Sequence, residues 1–82
     1  MDEAEVKHIA DYVEGLENGF GDWDCREPAT RRQLMKLHLT IERLAHTICE
    51  TRDEGMISVL AVLEDRARRC KQCMEARLAV YT

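Results

Sequence analysis

Cys70 and Cys73 form a C-x-x-C, and His46 and Cys49 stand three positions apart. Both spacings can hold zinc, which takes about four nitrogen and sulfur ligands in a tetrahedron. A C-x-x-C can also do thiol–disulfide chemistry, but that needs a helix N-terminus to lower the thiol pKa. This pair lies late in a long helical pattern, where the dipole acts the other way. The two pairs cannot join in one site. They fall toward opposite ends of two neighbouring helices, about 20 Å apart at the helical rise. Cys25 could approach Cys70 and Cys73, but no fourth ligand is evident. The sequence therefore predicts no metal, with Cys70 a small core residue and Cys73 an interface residue.

A second chemistry-bearing group is basic. Arg66, Arg69 and Arg77 share one helix flank with Val59, Val62, Cys73 and Val80. Guanidinium groups beside apolar side chains suit an anionic ligand or an acidic partner surface. The competing reading is a solvated, salt-bridged face, since Glu64, Asp65 and Glu75 are interspersed and Arg68 and Lys71 point elsewhere. Catalytic groupings are lacking. Asp22 and Asp24 flank Trp23 without a partner motif, and Gly19 with Gly21 makes no phosphate-cradling loop. The sequence reads as a binding protein, without cofactor, and not as an enzyme.

Three helical segments must position these groups. The first runs about residues 2–17, with Val6, Ile9, Val13 and Leu16 on one stripe. Asn18-Gly19 is its stop, through a left-handed glycine. Residues 18–29 form a loop whose Phe20 and Trp23 are expected to plug the end of the core. A helix over about 30–50 carries Leu34, Leu37, Ile41, Leu44 and Ile48 at heptad spacing, opened by Pro28 or a Thr30–Gln33 capping box. A third, about 52–80, carries Met56, Leu60, Leu63, Ala67, Cys70 and Met74 and is opened by Thr51–Glu54. Two heptad seams joined by a short connection predict a long antiparallel helical hairpin, preceded by a short helix. The fold class is all-α, in one domain of residues 1–82.

Both long helices carry apolar residues off the seam. Met35 and Leu39 lie on another face of the second helix, with His46 further along. The first helix offers one four-residue stripe and cannot cover two separate faces. Packing of the first helix on the third would give a monomer, but the surplus predicts a homodimer or higher oligomer.

Size and charge narrow the function. A chain of 82 residues buries only about 60% of its unfolded surface, so its core is thin and a partner is expected. Residues 1–27 carry nine acids against Lys7 and Arg26, whereas residues 28–82 carry ten bases against seven acids. An acidic head disfavours duplex DNA, which wants a clearly basic surface. The acidic start is unlike a secretory signal, and no apolar run approaches the roughly 20 residues of a membrane span. The expectation is a cytoplasmic protein with reduced thiols and no membrane contact.

Leu44-Ala45-His46-Thr47-Ile48, a short turn and Leu60-Ala61-Val62-Leu63-Glu64-Asp65 resemble the hairpin of the small phage proteins that sequester the cyclic oligonucleotide signals of CBASS defence. Ala61-Val62 replaces that family's Thr-Lys, and its expected Trp falls at Arg69 or Cys70. The resemblance implies a phage or mobile-element counter-defence protein, an oligomer that holds anionic nucleotides without catalysis. Leu63-Glu-Asp-Arg-Ala67 and Cys73-Met-Glu-Ala-Arg77 are similar, more faintly, to the plasmid RNA-binding hairpin protein Rop. Three partner classes follow. They are an anionic nucleotide at Arg66 and Arg69, a host protein inhibited through the second apolar faces (Met35 and Leu39, and the flank of Cys73 and Arg77) and the acidic head, and an RNA.

Overall fold

A computed structural model describes the backbone of residues 1–19 and 28–80 and the side chains of residues 1–19 and 31–79. Phe20, Trp23, Cys25, the Thr30 cap, Val80 and Tyr81 lie outside the described side chains.

The described residues form three helices and no strand: α1 (Glu3–Asn18), α2 (Pro28–Glu50) and α3 (Glu54–Val80). The chain is all-α, as the periodicity predicts. Asp2 caps α1, its side chain accepting from the Glu5 backbone N–H at 2.8 Å. At the other end Gly19 is not left-handed, with φ −93° and ψ 9°. Its N–H is shared between the carbonyls of Gly15 (3.0 Å) and Leu16 (3.2 Å), so the last turn tightens and the expected left-handed residue is unnecessary.

The cap of α3 also differs from expectation. The Thr51 N–H still donates to the Thr47 carbonyl at 2.9 Å, extending the bonding of α2. Asp53 is the N-cap. Its Oδ1 accepts from Gly55 N–H (2.9 Å) and Met56 N–H (3.3 Å), and its carbonyl accepts from Ile57 N–H (2.9 Å). An Asp sits closer to the helix than Thr51 and its carboxylate meets the positive helix end. A Cβ at position 55 would stand 3.3 Å from that Oδ1, so glycine leaves the cap room.

The core lies along one side of each helix. Val13, Leu37, Leu44, Leu60, Cys70 and Met74 are its most buried side chains, and Val6, Leu34, Ile48 and Met56 pack against it partly covered. These are members of the predicted stripes; Met1, Ala10 and Tyr12, which also pack against the core, are not. α2 and α3 make the most extensive helix–helix contact, and α1 packs mainly on α3. Polar ties complete the assembly. Lys71 Nζ lies 3.0 Å from His38 Nδ1, joining α3 to α2. On the other side Tyr12 donates to Gln33 Oε1 at 3.1 Å and Arg43 pairs with Glu5, joining α1 to α2. The longest dimension, 42 Å, is about the length of α3 alone at 1.5 Å per residue, so the core is a single thin layer. Among the described residues no helix is long and apolar enough to cross a membrane.

Candidate partner-binding surface

The arginines of the predicted flank do not converge on one open site. Arg66 is turned toward α1 and half-buried. Its Nε donates to Glu17 Oε2 at 3.3 Å and its Nη2 to Glu17 Oε1. The hydrogen bond from Arg66 holds the Glu17 carboxyl below its ordinary range, and the same bond raises the guanidinium pKa. Arg69 is solvent-facing and pairs with Asp65 of its own helix at 2.9 Å. Arg77, half-buried, also has an interaction of its own. Arg68 pairs with Glu64 at 2.7 Å on another side of α3. At Arg66 and Arg69 the guanidinium charge is thus paired within the chain, in line with the salt-bridged reading of this face rather than the anion-binding one.

The two cysteines of the C-x-x-C divide as their periodicity predicts. Cys70 is buried and Cys73 is exposed. Burial pushes the Cys70 thiol up, away from the thiolate that reacts or binds metal. Cys49 is exposed, and the neighbouring His46 lies 3.1 Å from Glu50. Among the described residues no three His, Cys, Asp or Glu side chains gather as a metal site would need.

Among the described residues, four large apolar side chains stand open to solvent. Met35 and Leu39 on α2 are 59% and 57% exposed, and Val59 and Val62 on α3 are 49% and 60% exposed. The first pair stands alone on the back of α2. The second pair lines a groove between α1 and α3, whose other walls are Val6, Ala10 and Leu63, with Arg66 at one end. A second hollow, toward the connection, shares Val6 and Val59 with it and adds Glu3, Lys7 and Met56. Each has a volume of about 400 Å³, and the shared residues make them one trough along the α1–α3 seam. α1 does pack on the flank, yet it leaves the two valines half open.

Sequence reasoning placed Val59 and Val62 on the right flank but not Val6 and Ala10 opposite them. Val6 was read as core, and Ala10 carried no signal. Glu17 was missed as the partner of Arg66, although the acidic first segment beside a basic third one was a hint in charge.

Comparison with known protein families finds no matching family model, and comparison with curated proteins and with solved structures finds no match.

Proposed function

We propose that this chain is a small non-enzymatic binding protein that acts by stoichiometric occupation of a partner protein. Its contact surface is the α1–α3 trough, and the partner element is an amphipathic helix. The observation that carries this reading is the pair of half-open valines, Val59 and Val62, inside a groove walled by Val6 and Ala10. A groove between two helices takes a helix with apolar anchors at turn spacing. Glu3 lines the trough beside Lys7 and Glu14 lies within electrostatic reach of Arg66, in a head of net negative charge, which favours basic residues flanking those anchors.

The same reading includes the antiparallel helical hairpin of α2 and α3, supported by the three-residue connection and the Lys71–His38 tie. It includes self-association, supported by the exposed Met35 and Leu39. A counter-defence role as an inhibitor of a host system fits stoichiometric binding. Nucleotide sequestration at the arginine flank is the weaker reading, because Arg66 would have to leave Glu17 and Arg69 would have to leave Asp65.

Native mass spectrometry of the protein purified from its host tests this. A stoichiometric complex with another protein is expected. A nucleotide-sized adduct lost in Arg66→Ala/Arg69→Ala would overturn the reading in favour of sequestration, and binding to RNA that weakens steeply with salt would overturn it in favour of a Rop-like role.

A further inference from the structure

The outward side of α2, opposite its core stripe, carries a second heptad pattern. Arg32, Met35, Leu39, Glu42 and His46 are spaced 3, 4, 3 and 4, and all five are exposed. Two apolar positions stand at the centre, a cation stands one step toward the N-terminus and an anion one step toward the C-terminus. We infer that this face is a homodimer seam, closed by a second copy of this chain whose α2 runs antiparallel about a two-fold axis between Met35 and Leu39. The inference rests on the self-association in the proposed function and assigns it a surface separate from the α1–α3 trough.

Charge selects both the occupant and its direction. In the antiparallel arrangement Met35 packs on Leu39 of the second copy, and Arg32 meets Glu42 of the second copy, twice over by symmetry. In a parallel arrangement at the same register Arg32 would meet Arg32 and Glu42 would meet Glu42, and like charges across a contact are repelled. Two of the neighbouring cations, Lys36 and Arg43, are held on the α1 side, whereas Arg31 is exposed beside Arg32. Lys36 Nζ lies 4.6 Å over the Tyr12 ring, and Arg43 pairs with Glu5. Glu42 touches His38 Nε2 through Oε1 at 3.1 Å, and its side chain is 63% exposed, which leaves Oε2 for Arg32 of the second copy. The pattern is self-complementary, as a two-fold contact requires.

Sedimentation equilibrium of the full chain, with circular dichroism to confirm the helices, tests this. The wild type is expected to dimerise and Leu39→Asp to be monomeric with unchanged helicity. Arg32→Glu alone is expected to weaken the dimer roughly tenfold or more, and Arg32→Glu with Glu42→Arg to restore it. A wild type that stays monomeric at millimolar concentration would overturn the self-association and this seam together, leaving the trough to be judged by Val62→Asp. A dimer that survives Leu39→Asp but not Val62→Asp would overturn the seam alone. Loss of the dimer in Leu39→Asp without rescue by the double charge reversal would overturn the antiparallel register.

Discussion

Glu17 of α1 and Arg66 of α3, 49 residues apart in sequence, meet through two N–H···O bonds at one end of the apolar trough. The pair ties the C-terminal part of α1 to α3 and occupies the first guanidinium of the basic flank. Both side chains are about one-third exposed, so solvent screens the pair. Its contribution is expected at about 0.2–1 kcal/mol. Glu17 is held below its ordinary value of 4.5, so this stability is present above that value and is lost as pH falls through the lower folded one. Glu17→Gln should therefore melt a few degrees below the wild type at pH 7, with the difference closing as pH falls below 4.5 and through the lower folded value. Thermal melts of both proteins across pH check this, and a difference that persists in acid would contradict it.

Gly15 sits inside α1 with open space where a Cβ would stand. Glycine in a helix interior costs about 0.5–1 kcal/mol relative to alanine, chiefly through the entropy of the unfolded chain. Gly15→Ala should stabilise the protein by about that amount, read as a higher urea midpoint at unchanged slope.

The start of α3 depends on one carboxylate. Asp53→Ala removes the acceptor for the Gly55 and Met56 N–H groups and should cost about 1 kcal/mol. Thr51→Ala should cost less, because Thr51 belongs to the end of α2. Equal losses in denaturant melts would return the capping role to Thr51.

Alkylation should separate the cysteines. Cys49 and Cys73 are exposed, whereas burial both shields Cys70 and raises its thiol pKa. Brief treatment with iodoacetamide at pH 8, followed by peptide mapping, should label Cys49 and Cys73 and spare Cys70 until the chain is unfolded.

The helical layout was legible because the apolar spacing is regular. Leu37, Leu44, Leu60 and Met74 are buried where the heptad pattern put them, and Asn18 ends α1. Caps were harder to read. Thr51 and Asp53 both satisfy capping chemistry, and only the backbone path shows which meets the first free N–H groups. The candidate site was legible in part. The flank bearing Val59 and Val62 follows from helical geometry alone. The fate of Arg66 does not, because it depends on where α1 docks and on Glu17 arriving opposite it, a tertiary relation that no spacing within either segment encodes. Met35 and Leu39 were readable as a surplus face, because two apolar residues opposite a complete stripe cannot enter the same core.

The α1–α3 trough is proposed to hold a partner protein. Its most direct test is affinity capture from the native host with the wild-type chain and Val62→Asp side by side, after circular dichroism and melting show that both are folded. Val62 is 60% exposed, so the substitution should leave the helices intact. One protein should be recovered in stoichiometric amount with the wild type and lost with Val62→Asp. Recovery of the same partner at the same yield by both chains would contradict it.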